Sequence, residues 1–147
     1  MKAMEIAKYF ICKNVQSKTI LTHAKIQQIL YFSQGWYLAK FNKTLFEDDI
    51  VASNVGPVIY DVDWNLRIYQ NQNLIFHEFE SAEIDIEDSI KIFLDEMWDL
   101  YKDIDVVTLI QNTYTHRIWS ESFRAIDHTI TKNSIKNFFK EHLNEKN

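Results

Sequence analysis

Residues 21–39 read Leu-Thr-His-Ala-Lys-Ile-Gln-Gln-Ile-Leu-Tyr-Phe-Ser-Gln-Gly-Trp-Tyr-Leu-Ala, and their reading decides the fold class. Thr22 is placed to accept a hydrogen bond from the first turn of a helix, and the pattern carries that helix to about Lys40. Ile26, Ile29, Leu30, Ser33, Trp36, Tyr37 and Lys40 fall on one stripe at helical spacing. Tyr31 and Phe32 extend the apolar coverage beyond it. A helix that is aromatic on more than one face belongs in the middle of a domain.

Working outward, the spacing predicts further helices. Ala3, Ile6, Ala7, Phe10 and Ile11 mark one over residues 2–14, followed by a polar turn from Asn14 to Ile20. Residues 87–102 repeat Ile90, Phe93, Leu94, Met97, Trp98 and Tyr101 in register, with Asp85 or Ser81 as candidate caps. Shorter helices are expected from Asp105 to Asn112 and from Trp119 to Ile126. A last one, capped by Thr131 or Asn133, buries Ile135, Phe138 and Phe139. Pro57 suits the first position of a helix running to Gln70, because its missing N–H costs nothing there. Two segments, near 50–54 and 74–79, read as short β-segments. The expected architecture is a mainly α, single-domain helical bundle over residues 3–143, with a polar tail over 144–147.

The 147 residues include only two glycines and one proline, where average usage gives about 17. That excludes collagen-like, linker-rich and turn-dense β architectures, and leaves no Gly-rich phosphate loop. The hydrophobic share of 46% suffices for a packed core. No apolar run approaches the ~18 residues of a membrane span, and Met1 to Ile11 has no cleavage signature. The single cysteine, Cys12, excludes an internal disulfide and a cysteine-based zinc site. These features point to a cytoplasmic protein without a membrane association, and the Lys-over-Arg and Ile/Asn bias suggests an AT-rich bacterial or phage genome.

The net charge of −5 is unevenly spread, with +6 over residues 1–46 and −9 over residues 78–105. The acidic stretch favours cationic partners, while its bland reading is a solvated helix face. His23, His77, His116, His128 and His142 form no metal-binding spacing, so neither metal nor cofactor is expected. Ser120 and Ser122 sit in no nucleophile elbow, and Cys12 reads as a thiol on an apolar face. Lysines before residue 46 are scattered and no arginine precedes Arg67, which argues against nucleic-acid readout.

Several strings, taken in order, resemble one family. Residues 21–39 resemble the "LT-x-LKLQKLLYFAQGWYLA" helix of the Panacea antitoxin domain, the family of SocA-like and phage-associated GepA-like proteins. Leu45-Phe46 resembles its "PLF", Gly56-Pro57-Val58 its "GPV" with Tyr60 close behind, Trp98 and Tyr101 its "VW-x-x-Y", and Thr115-His116 with Trp119 its "TH…PW". The chain departs at Ser53-Asn54-Val55, where the family carries an aromatic pair, and at Ile118, where it carries proline. The resemblance implies a compact helical domain and the role of antitoxin in a type II toxin–antitoxin system, non-enzymatic, binding a toxin encoded nearby. It also implies an alternative, an adaptor that delivers a bound toxin to a AAA+ protease; a nucleic-acid-binding regulator ranks behind both. The oligomeric state, the toxin's identity and the contacting surface are left open.

The residues carrying the resemblance are the candidates for toxin binding or for the motif core: Gln28, Tyr31, Gln34, Trp36, Gly56, Pro57, Val58, Tyr60, His116 and Trp119. Buried amides need partners at both ends, so Gln28 and Gln34 are expected to tie the central helix to the Gly-Pro loop. His116 reads first as a satisfied structural histidine, hydrogen-bonded across to another helix. A glycine inside a helix costs about 1 kcal/mol relative to alanine. Gly35 therefore signals close backbone packing, expected against Gly56-Pro57.

Overall fold

A computed structural model describes residues 1–75, 85–124 and 127–145 of the protein. Helix α1 (Ala3–Ser17) leads to α2 (His23–Phe41), then to a hairpin of β1 (Ile50–Ser53) and β2 (Gly56–Val58). Helix α3 (Tyr60–Leu66) follows, continued by a 3-10 turn (Arg67–Tyr69). The remaining elements are α4 (Asp88–Tyr101), α5 (Val106–Tyr114), α6 (Arg117–Arg124), β3 (Thr129–Ile130) and α7 (Lys132–Glu145). Among the described residues this is a mainly helical bundle with a small three-stranded open sheet, as the sequence predicts in class.

Helix α2 is the axis of the bundle. It packs against α1, α3, α4, α5, α7 and β2, and every residue from Lys25 to Trp36 is buried. Three turns of helix with no solvent face explain why its hydrophobicity shows no single stripe. Its ends are those expected: the Thr22 hydroxyl accepts from the Lys25 N–H at 3.3 Å. Asn42 closes the far end in a left-handed conformation, φ 57°, which asparagine tolerates better than most side chains.

The turn between α1 and α2 is held by a polar knot. Asn14 is fully buried, and its Nδ2 donates to Asn73 Oδ1 and to the Leu74 carbonyl, both at 2.9 Å. Thr19 donates back to Asn14 Oδ1 at 2.8 Å. Lys25, buried at the start of α2, donates from Nζ to the Lys102 carbonyl just past α4. Burial pulls this lysine below its usual value, and the charges of Asp103 and Asp105 oppose that pull.

The sheet order is β2-β1-β3, all antiparallel. This corrects two readings. Gly56-Pro57-Val58 is an edge strand and not the start of a helix, which begins at Tyr60. Pro57 lies opposite Ala52, and an edge strand tolerates a missing N–H. Gly56 takes φ 103° after Asn54-Val55, the usual closure of a tight hairpin by a residue in the left-handed region. Of the β-segment expected at 74–79, Leu74 and Ile75 are in no strand, and Leu74 donates to the Leu21 carbonyl at 2.8 Å. Residues 76–79 lie outside the described residues, as does Ser81. Glu87, with no side-chain capping bond, precedes α4 in place of Asp85. The third strand is Thr129–Ile130, which the sequence reading did not identify.

A third correction concerns Gly35. A Cβ there would stand 2.3 Å from the Phe139 ring of α7, so this glycine is the notch that seats Phe139. Gly56 faces Gln28 instead. Trp36 and Tyr31 flank the same phenyl ring edge-on, at 4.9 and 5.6 Å between centroids.

Gly35→Ala is expected to destabilise the protein by about 1–3 kcal/mol, because overpacking outweighs the gain of about 1 kcal/mol in helix propensity. Urea unfolding would measure it. In a Phe139→Leu background the same change should cost clearly less, which a double-mutant cycle reads directly.

Candidate functional site

Gln27, Gln28, Ser33 and Gln34 of α2 are buried, so the partners of their polar atoms must come from inside the protein. Gln34 donates from Nε2 to the Phe46 carbonyl at 2.9 Å, and its Oε1 accepts from the N–H groups of Leu45 and Phe46 at 2.8 and 3.3 Å. One amide thus satisfies three backbone groups of the loop that seats Leu45 and Phe46. Gln27 does the same for the segment after β2. Its Oε1 accepts from the Ile59 N–H at 3.0 Å and its Nε2 donates to the Ile59 carbonyl at 3.2 Å. The Gly-Pro segment is therefore tied to α2 chiefly by Gln27, a residue the sequence reading passed over, while Gln34 ties a different loop.

Gln28 sits between the hairpin and α5. Thr113 Oγ1 donates to Gln28 Oε1 at 3.0 Å and is also 3.0 Å from the Leu109 carbonyl. Its single proton serves one of these at a time. Gln28 Nε2 faces Gly56, where a Cβ would stand 2.3 Å away, and has no hydrogen-bond partner among the described residues. Gly56 is thus required twice, for its φ and for this close approach.

Beside this scaffold lies an aromatic cleft of about 610 Å³ between α2, α5 and α7. Phe32, Trp36, Tyr101 and Phe139 line it, together with His116, Phe138 and His142. The Trp36 indole N–H donates to the Tyr101 hydroxyl at 2.8 Å, and Phe32 stacks on the Tyr101 ring at 4.9 Å. His116 Nδ1 is 3.0 Å from the Tyr31 hydroxyl. Burial pushes His116 down to about 4, with the charge of His142 adding to the effect. His116 is therefore a neutral imidazole at neutral pH. Burial likewise pushes the Tyr31 hydroxyl well above its ordinary range.

The ten candidates divide by position. Trp36 and His116 line the cleft, and Tyr31 lies buried behind it, bonded to His116. Gln28 and Gln34 lie behind it as internal ties. Gly56, Pro57 and Val58 form the edge strand. Trp119 is buried under Tyr114 and Phe123, with centroids 5.3 and 6.1 Å away. Tyr60 alone points outward, at the head of a solvent-facing row with Trp64 and Ile68. The sequence reading missed Gln27, Tyr101 and Thr113 as partners, and Trp64 and Ile68 as surface groups. Their signal was weak, since a polar residue next to Gln28 and a tryptophan in a short helix are each ambiguous without a tertiary neighbour.

Among the described residues no group of three or more His, Cys, Asp or Glu side chains is placed to hold a metal ion. None of their helices is long and apolar enough to cross a membrane. A family model described as "Antitoxin SocA-like, Panacea domain" matches residues 26–120, which spans α2 through the first half of α6. The chain matches no curated protein and no solved structure at a significant level.

Gln34→Leu should cost on the order of 3 kcal/mol, because it strands two N–H groups and a carbonyl inside the protein; urea unfolding at neutral pH would measure it. The depressed value of His116 sets a pH dependence. A group lower in the folded than in the unfolded state adds stability that is full above the ordinary value of 6.5 and is lost as pH falls toward 4. Allowing for the solvent-facing edge of the ring, that contribution is about 2 kcal/mol. The stability gap between wild type and His116→Phe should narrow by this amount between pH 7 and pH 4.

Proposed function

The chain belongs to the SocA-like Panacea antitoxin domain family, and on that premise we propose that it neutralises a protein toxin encoded nearby by binding it directly. Domains of this family have antitoxin-like roles. The observation that carries the binding reading is the outward row on α3 and the turn after it. Tyr60, Trp64 and Ile68 are 66%, 72% and 75% exposed; Tyr60 and Trp64, at i and i+4, share one face of α3, and Ile68 follows in the 3-10 turn that continues it.

Large aromatic groups clustered in solvent mark an interaction surface, and Trp, Tyr and Arg dominate the energetics of protein interfaces. Arg67 lies 5.2 Å over the Trp64 ring and pairs with Asp63 at 2.6 Å, so the tryptophan is already held in one orientation. A groove of about 300 Å³ runs from Tyr60 across Val51 and Val58 to Phe123 and His128. It extends the apolar surface from α3 onto the sheet. The hairpin edge contributes shape only, because Pro57 has no N–H to offer and Ile59 already spends both its backbone groups on Gln27. Recognition is therefore by side chains, without an added strand.

The test is to express the neighbouring reading frame alone and together with this chain. Growth arrest alone, relieved on co-expression with a complex that co-purifies, is the expected result. A harmless neighbour, or one that stays toxic inside the complex, would sink the reading. Tyr60→Ala and Trp64→Ala should each weaken toxin binding about 30-fold, the size of a hot-spot loss, with melting temperatures close to wild type. Toxin half-life in cells with and without AAA+ proteases separates plain inhibition from delivery: an adaptor shortens it only when the protease is present.

A further inference from the structure

We propose that the aromatic cleft between α2, α5 and α7 binds a small, flat, uncharged heteroaromatic ring carrying a hydrogen-bond acceptor and a donor, the chemistry of a nucleobase. The volume of about 610 Å³ falls within the size range of small-molecule sites, roughly 300–1,000 Å³. Its floor is ring on ring. On its wall the His116 and His142 rings each lie 4.2 Å from Phe138 between centroids, tilted by 36° and 35°. Such a slot favours a planar occupant over an aliphatic one.

The polar pattern follows from the hydrogen bonds that are already made. Tyr31 is fully buried, and the only acceptor for its hydroxyl proton among the described residues is His116 Nδ1. Tyr31 therefore donates, and the hydrogen of neutral His116 sits on Nε2, at the opposite edge of the ring from Tyr31. That N–H has no partner among the described residues. His142 Nδ1 is 3.0 Å from the Phe138 carbonyl. A carbonyl only accepts, so Nδ1 carries a hydrogen and any acceptor that His142 offers is its Nε2. The two imidazoles, 6.3 Å apart, thus offer the cleft one donor and one acceptor.

Charge at the mouth narrows the class further. Arg117 and Glu141 both line it, and Arg117 is already shared with Glu121 at 3.6 Å. A phosphorylated ligand would meet the Glu141 carboxylate along with the guanidinium. A free base or nucleoside avoids that opposition.

Adenine, cytosine and indole would be titrated into the full-length protein by calorimetry, with the histidine ring signals followed by NMR. Saturable binding of adenine or cytosine with shifts at His116 and His142 is expected, with indole, which offers a donor only, at least tenfold weaker. Asn112 is exposed at the mouth, so Asn112→Trp should block the cleft without entering the core, and His142→Phe should weaken binding at least tenfold. Thermal melting confirms that both variants fold. Absence of saturation by either base, equal affinity for indole, or binding untouched by both variants would overturn the proposal.

Discussion

A helix buried on every side has no solvent into which to turn its polar groups, and this one constraint organises the molecule. From Lys25 to Trp36 each side chain of α2 meets protein. An unpaired buried amide costs about 1–3 kcal/mol, and Gln27 and Gln34 avoid that cost at both ends of their side chains. The partners available in quantity are the backbone groups of loops that lack their own secondary structure. Gln34 and Gln27 act as local substitutes for a β-strand, each presenting an acceptor and a donor to a neighbouring main chain. The loops become ordered because the helix needs them. Gly35 obeys the same constraint in apolar form: with no side chain it lets α7 come close enough for Phe139 to cover the remaining face.

The parts of this arrangement that were legible in the sequence are those governed by short-range rules. The Thr22 cap, the burial of Ile6, Phe10, Leu94 and Trp98, and the Thr131 cap of α7 at 3.1 Å all depend on spacing within one helix. The hairpin was harder because its signals fit two states. Pro57 has a φ that suits both the first turn of a helix and an edge strand. The choice fell to Gly56 at φ 103° and to Gln27 holding Ile59 extended, neither of which is a local property. Gly35 announced a close approach, but a glycine does not encode what approaches it, and the partner was over one hundred positions away at Phe139.

The candidate site shows the same division. His116 was legible as a histidine tied to another helix, and the tie to Tyr31 is there. The cleft beside it was not, since it is assembled from residues of α2, α4, α5, α6 and α7, whose order in space follows from how α2 is wrapped. Trp64 and Ile68 escaped notice for the opposite reason. An apolar residue in a short helix is expected inside, and only the tertiary structure shows which face of α3 is left uncovered.

These positions bear on how one scaffold serves recognition. Most residues that carry the family resemblance, among them Gln28, Gln34, Trp36, Gly56, Pro57 and Trp119, are buried and hold elements together. Changing any of them disturbs the bundle before it disturbs a surface. The row of Tyr60, Trp64 and Ile68 makes the reverse bargain: it contributes little to the core, so its chemistry is free to follow a partner. A domain arranged in this way keeps its fold-determining residues and its surface aromatics on different sides of the same short segment. Ile59 is 1% exposed and pinned by Gln27, and Tyr60, the next residue, is 66% exposed. Rigid support directly beneath an exposed aromatic limits the conformational entropy it would lose on binding, which is the condition under which a small patch can bind tightly.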